Sequence, residues 1–173
     1  AIAVAQQSQP VWELVVDRDL DALRRPLLYS IGAGVAAALY MWAWPPGVLL
    51  VGFTGIFFAL KITTDVYHNR SPEPMAFVGA VSMTVTGLLM FVPLQSFTIG
   101  AASQHTLLQV ILPLGVGLGS IFLAYLARQW ETRELERSWY PVAVGALILV
   151  SAVAFSRFVV DLTGALLARV GFS

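Results

Sequence analysis

Long apolar stretches, separated by polar or proline-containing segments, dominate the pattern of hydrophobic positions along the chain. Most of them are close to the ~20 residues that an α-helix needs to cross a hydrocarbon core. The pattern therefore predicts an all-α fold, a polytopic membrane helical bundle with about five transmembrane helices. The predicted helices are residues 26–44, 47–64, 75–93, 106–127 and 141–155.

Prolines and polar residues mark the predicted helix boundaries. Pro26 opens the first helix, and Pro45 with Pro46 ends it, because proline lacks the backbone N–H and disfavours helix in the residue before it. Ser71 or Glu73 is expected to cap the third helix.

The domain organisation predicted from this pattern has three parts. Residues 1–25 are the end of a preceding helix plus a cytoplasmic loop, and residues 26–158 are the five-helix transmembrane segment. Residues 159–173 are an amphipathic external segment that leads to a missing loop. The pattern at both ends predicts that the chain is part of a longer protein.

The distribution of basic residues predicts the orientation of the helices. If the first helix runs outward from the cytoplasm, only Arg157 and Arg169 fall outside, as the positive-inside rule requires. The N-terminus is then inside and the C-terminus outside. The basic residues that fall inside are Arg18, Arg24, Arg25, Lys61, Arg70, Arg128, Arg133 and Arg137.

Composition supports a lipid environment and excludes several classes of site. The chain of 173 residues is 58% hydrophobic and only 12% charged, whereas soluble domains carry about 25% charge. Ten basic and ten acidic residues cancel, so no nucleic acid partner is expected. There is no cysteine, and His68 and His105 are far apart in sequence, so we expect this segment to bind no metal or cofactor.

Small residues at helical spacing predict three closely packed faces. These are Ser30, Gly34 and Ala38 in the first helix, Ala76 and Ala80 in the third, and Gly115 and Gly119 in the fourth. The run from Gly115 to Gly119 lies in an apolar helix without a preceding strand or a lysine, so it is not a phosphate-binding loop.

Few polar residues are candidates for chemistry, and no catalytic residue can be assigned. Lys61 and Asp65 are spaced by four residues near the end of the second helix, which predicts a surface ion pair with a snorkelling lysine. His105 is expected to start the fourth helix as a polar residue. The face formed by Arg157, Asp161 and Arg169 is either a solvated, headgroup-facing stripe or part of an external active site.

Three phrases of the sequence resemble one known family. They are Ala22-Leu23-Arg24-Arg25-Pro26-Leu27, the passage from Ala36 through Tyr40-Met41-Trp42-Ala43-Trp44-Pro45-Pro46 to Gly52, and Ser71-Pro72-Glu73-Pro74-Met75-Ala76-Phe77-Val78-Gly79-Ala80. In this succession the chain resembles the central transmembrane part of the catalytic subunit of archaeal oligosaccharyltransferase, the dolichyl-phosphooligosaccharide–protein glycotransferase, especially its haloarchaeal forms.

The resemblance implies a membrane enzyme in the cell membrane. Such an enzyme transfers a lipid-linked oligosaccharide to the asparagine of Asn-x-Ser/Thr sequons, so its partners are membrane lipid, the lipid-linked oligosaccharide and an acceptor polypeptide. It uses a divalent metal, Mg²⁺ or Mn²⁺, bound by acidic external loops upstream of Ala1. Its sequon-binding Trp-Trp-Asp-Tyr-Gly motif is expected downstream of Ser173. The resemblance therefore implies that this segment is an inactive membrane scaffold.

Two other functions remain open from the residues alone. A fragment of a multi-helix transporter would need a polar substrate site between helices, and charged residues are absent from the centres of the predicted helices. A small structural subunit of a membrane complex is the second alternative.

Overall fold

The structure, a computed structural model, describes residues 20–95, 105–151 and 153, and these residues form a bundle of five helices without strands. The predicted all-α fold is therefore confirmed. The helices are α1 (Leu20–Ala43), α2 (Val48–Tyr67), α3 (Glu73–Leu89), α4 (Leu108–Thr132) and α5 (Arg137–Ser151). A short 3₁₀ turn at Pro45–Gly47 precedes α2, and another at Arg137–Trp139 forms the start of α5.

Three of these helices are long and apolar enough to cross a membrane. The candidate spans are Leu23–Ala43, Pro45–Tyr67 and Leu108–Thr132. Helix α3 has 17 residues, and α5 is also shorter than 18 residues as far as the structure describes it. A helix of 17 residues is about 26 Å long, close to the ~30 Å of a hydrocarbon core.

The start of α1 differs from the prediction. The helix begins at Leu20, and Pro26 is buried inside it instead of opening it. Proline at this position removes the hydrogen bond to the carbonyl of Ala22, which is a small loss because it affects only one bond near the helix start. The carbonyl of Pro26 accepts a hydrogen bond of 2.8 Å from the hydroxyl of Ser30 one turn later.

Two helices are followed, two residues after their last residue, by a residue in the left-handed backbone conformation. Asn69 has φ of 59° after α2, and Glu134 has φ of 52° after α4. In both cases the amide of the following residue donates to a carbonyl five residues back, from Arg70 to Asp65 and from Leu135 to Trp130. This is the Schellman arrangement that usually requires glycine. Without a glycine to mark it, the sequence placed the end of α4 at Ala127, whereas the helix continues to Thr132.

Helix α3 packs against α4 and α1, and α2 packs against α4 and, to a smaller extent, against α3. Helices α1 and α3 run parallel, because Leu23 packs near Phe77 and Gly34 lies against Ser82. The bundle therefore places the starts of α1, α3 and α5 at one end, together with the ends of α2 and α4. Helix α5 contacts α4 through Tyr140, whose hydroxyl donates a 2.8 Å hydrogen bond to the carbonyl of Leu123.

The predicted small-residue face of α1 is confirmed, whereas Ala76 and Ala80 of α3 line an open groove and the predicted face of α4 is wrong. Ser30, Gly34 and Ala38 are all buried, and so is Ala76 of α3. A Cβ atom added at Gly115 or Gly119 would meet nothing within 4 Å. The close contact is made instead by Gly117, whose added Cβ would lie 3.4 Å from the carbonyl oxygen of Ala80. Gly115 and Gly119 share one side of the helix and Gly117 lies on the opposite side, and only packing selects between these two sides.

Candidate functional site

All charged residues that the structure describes lie at one end of the bundle, which we call the charged end. No charged residue occurs between Arg25 and Lys61, or between Glu73 and Arg128, so the rest of the described bundle is uncharged. Alternation of helix direction brings these distant segments together. The clustering of Arg24, Arg25, Lys61, Arg70, Arg128, Arg133 and Arg137 at one end agrees with the sequence prediction.

The ion pair predicted between Lys61 and Asp65 is present in the last two turns of α2. It is not a surface pair, which corrects the prediction. The side chain of Asp65 is only 4% exposed, whereas that of Lys61 is 26% exposed. The short aspartate is enclosed by the bundle, and the long lysine reaches from the surface to neutralise it.

An open groove of about 610 Å³ lies at the charged end between the start of α3 and the end of α4. Its apolar part is formed by Phe77 and Ala80 from α3 and by Ile121 and Ala124 from α4. Residues from Asn69 to Glu73, together with Arg128 and Glu131, form its mouth. From Glu73 to Ala80 the groove extends about 10 Å along the helix axis, at 1.5 Å per residue.

At the opposite end of the bundle, polar side chains form hydrogen-bond contacts between neighbouring helices. Nε2 of Gln109 donates a 2.8 Å hydrogen bond to the carbonyl of Pro45, while Oε1 of the same side chain is buried without a protein partner among the described residues. His105 does not start α4, which begins at Leu108. Its ring is buried, and Nε2 lies 3.2 Å from the carbonyl oxygen of Met41. These contacts position the start of α4 against the end of α1 and the start of α2.

No catalytic or metal site emerges from the described part of the chain. There, no group of three His, Cys, Asp or Glu side chains could hold a metal ion together. His105 contacts a backbone carbonyl, and Nδ1 of the exposed His68 lies 2.8 Å from the carbonyl oxygen of Thr64. Arg157, Asp161 and Arg169 lie outside the described residues.

The groove was not predicted from the sequence. Its walls combine residues about 45 positions apart, from Phe77 to Ile121, and no local motif marks them. The spacing of Ala76 and Ala80 was the one available signal, since small side chains leave space between neighbouring helices.

Comparison with known proteins gives one informative similarity. No family model matches the chain, and no solved structure matches it. Over 156 residues the chain is 54% identical to the dolichyl-monophosphooligosaccharide–protein glycotransferase AglB of Haloferax volcanii. The match covers 90% of this chain but only 15% of the relative, so the chain spans about a seventh of that protein.

The similarity and the fold agree on the character of the protein. The structure has three apolar helices of membrane-spanning length, and all described charges lie at one end. These features indicate a membrane protein. The resemblance found in the sequence is confirmed: this chain is similar, over 90% of its length, to one segment of an archaeal oligosaccharyltransferase.

Proposed function

We propose that this chain is the central part of the membrane domain of an enzyme that transfers a lipid-linked oligosaccharide to asparagine in Asn-x-Ser/Thr sequons. The observation that supports this proposal is the 54% identity over 156 residues to the Haloferax volcanii glycotransferase. Within such an enzyme the bundle acts as a scaffold. The lipid-linked oligosaccharide and the acceptor polypeptide are partners of the complete enzyme.

The interior of the bundle supports a scaffold role over transport. The buried hydroxyls of Ser82 and Ser120 donate hydrogen bonds to the carbonyls of Val78 and Val116 in their own helices. The described helices therefore satisfy these polar groups internally and present no charged group at mid-bundle depth. A transporter would need such groups facing a substrate path.

The charged end is assigned to the cytoplasm, and the protein to the cell membrane. Seven described basic residues lie at this end, and the described opposite end has none. The positive-inside rule then gives a cytoplasmic start of α1 and an external end of α5. The external side would carry catalysis.

The divalent metal of the complete enzyme, Mg²⁺ or Mn²⁺, is assigned to residues outside this chain. The described residues contain no three-ligand group that fits such an ion. Its chemistry would be to stabilise negative charge at the reacting phosphate. This chain's helices would only hold the surrounding membrane domain in place.

A segment exchange tests the proposal. The matching segment of the Haloferax volcanii glycotransferase would be replaced by this chain, and glycan transfer to a sequon peptide would be measured in isolated membranes. We expect the chimera to be active and this chain alone to be inactive. A chimera that reaches the membrane in normal amount but transfers no glycan would contradict the proposal, as would activity of the chain alone.

The coding DNA on both sides of the segment distinguishes the remaining alternative. Acidic loops encoded upstream and a Trp-Trp-Asp-Tyr-Gly motif encoded downstream would support the transferase. In-frame stops immediately beside the segment would support a small structural subunit instead.

A further inference from the structure

We propose that the groove between α3 and α4 is the docking site of one further transmembrane helix, which belongs to the same polypeptide but lies outside these 173 residues. This helix would approach α3 closely at Ala80 and would accept a hydrogen bond from the hydroxyl of Thr84. The inference rests on the proposed function only in that the chain must be part of a longer membrane protein.

The charged side chains at the mouth of the groove are largely engaged by other groups. Glu73 and Arg128 each already have an interaction in the structure. Glu131 pairs with Arg137, with 4.0 Å between its Oε1 and the Nη2 of the arginine. The part of the groove that remains open is therefore its apolar inner part, which favours an apolar occupant over a charged ligand.

Small side chains let the backbone of another helix come close to the groove. Ala76 and Ala80 are one turn apart on α3, and Ala124 lines the wall formed by α4. Small residues at this spacing allow helix backbones to approach each other in lipid, where packing drives association. The groove is about 10 Å long along α3, which accommodates about two turns of a neighbouring helix.

The open face of α3 continues beyond the groove. Phe77, Ala80, Thr84 and Leu88 are spaced by three or four residues and so lie on one side of the helix. Thr84 is exposed, and Leu88 is 57% exposed. From Phe77 to Leu88 this face is about 17 Å long at 1.5 Å per residue, which matches a helix that runs alongside α3.

The hydroxyl of Thr84 favours a helix over an acyl chain as the occupant. Among the described residues this hydroxyl has no hydrogen-bond partner, whereas the hydroxyl of Thr86 on the opposite side of α3 lies 3.1 Å from the carbonyl oxygen of Gly34 in α1. An unpaired donor is costly in hydrocarbon, and an acyl chain offers no acceptor. A neighbouring helix offers carbonyl oxygens, each of which can accept a second hydrogen bond.

Connectivity favours a helix of the same polypeptide over a separate protein. The matched segment is only 15% of the Haloferax volcanii relative, so most of that protein lies outside it. A helix that is joined to the bundle by the same chain has a high effective concentration at the groove. A second copy or another protein would have to bind from the membrane without this advantage.

Photo-cross-linking of the complete protein in native membranes tests the proposal. Phe77 and Tyr125, which line the walls formed by α3 and α4, would each be replaced by p-azidophenylalanine. Mass spectrometry of the digested product would then identify the captured group. We expect both positions to capture the same transmembrane helix, from a part of the polypeptide outside these 173 residues.

A matched pair of alanine variants tests whether the groove itself holds the helix. In the protein with the cross-linker at position 125, Ala80→Phe fills the groove and should remove most of the cross-link. Ala36→Phe, on an exposed face of α1, should leave the yield unchanged. Circular dichroism would confirm folding of each variant.

A matched pair of threonine variants tests the hydrogen bond without filling the groove. Thr84→Val removes the hydroxyl that is proposed to bond to the docked helix, and it should lower the thermal unfolding midpoint of the complete protein. Thr54→Val should lower it less, because the hydroxyl of Thr54 donates a 2.7 Å hydrogen bond to the carbonyl of Leu50 within its own helix.

Several results would overturn the proposal. Capture of lipid at both positions would show that the groove faces the bilayer, and capture of a second copy or of another protein would exclude an intramolecular helix. Equal unfolding midpoints for Thr84→Val and Thr54→Val would exclude the hydrogen bond. A protein that gives the expected cross-links but transfers no glycan would contradict only the proposed function, whereas one that transfers glycan while lipid occupies the groove would contradict only this inference.

Discussion

The hydroxyl of Thr86 lies 3.1 Å from the carbonyl oxygen of Gly34 and 2.8 Å from that of Ser82. Its proton is shared between a carbonyl of its own helix and one of α1. The contact is possible because Gly34 has no side chain and lets the two backbones approach. Interhelical hydrogen bonds of this kind contribute about 0.6 kcal/mol on average in membranes. Close packing of the two backbones also stabilises this contact between α1 and α3.

Substitution of Gly34 by alanine should destabilise the bundle. An added Cβ would collide with the carbonyl oxygen of Ser82 and lie 2.9 Å from Cβ of Val85, so α1 and α3 must separate. Overpacking of this kind costs about 1–3 kcal/mol. Thermal unfolding in detergent, followed by tryptophan fluorescence, should show a lower midpoint for Gly34→Ala. Gly32→Ala, whose added Cβ meets nothing within 4 Å, should leave the midpoint unchanged or slightly raise it.

Breaking the buried ion pair from its two sides should have unequal effects. Lys61→Met leaves the carboxylate of Asp65 buried and unpaired, which costs about 3–5 kcal/mol. Asp65→Asn should cost less, because the partly exposed lysine can extend toward the interface. The double variant Lys61→Met/Asp65→Leu should recover most of the stability. Equal losses in the two single variants, measured by thermal unfolding, would contradict the buried position of Asp65.

Gln109 should tolerate an apolar replacement better than a charged one. Gln109→Leu loses the hydrogen bond to Pro45 but also removes the buried Oε1 that lacks a protein partner. These effects oppose each other, since an unpaired buried polar group costs about 1–3 kcal/mol. Gln109→Glu instead places acceptor oxygens against the carbonyl of Pro45. We expect a clearly lower unfolding midpoint for the glutamate variant, and the reverse order would exclude this account.

Relief of the left-handed backbone at Glu134 should stabilise the end of α4. A non-glycine residue in this conformation costs roughly 1–2 kcal/mol, so Glu134→Gly should raise the unfolding midpoint. Glu134→Ala removes the same charge but keeps the Cβ, and it serves as the matched control. If both variants change stability equally, the effect comes from the charge and not from the backbone.

Orientation in the membrane can be tested with single cysteines, because the chain has none of its own. Ser138 is exposed at the charged end, and Gln95 is exposed at the opposite end. In intact cells, an impermeant maleimide should label Gln95→Cys at once and Ser138→Cys only after permeabilisation. The opposite pattern would invert the proposed topology.

The sequence by itself determined the helical membrane character and the grouping of charge. Apolar runs of about 20 residues satisfy their backbone hydrogen bonds only as helices in lipid. Alternation of helix direction then brings Arg25, Arg70 and Arg128 to one end. The family resemblance was also readable, because it rests on consecutive residues such as those from Trp42 to Gly47.

Only the tertiary structure decided which side of each helix meets a neighbour. In lipid both the packed and the exposed faces are apolar, so hydrophobic periodicity does not distinguish Gly117 from Gly115 or Gly119. The burial of Asp65 and the groove beside Ala80 and Ala124 likewise depend on contacts between segments distant in sequence. Steric fit between helices, which no local pattern encodes, determines these features.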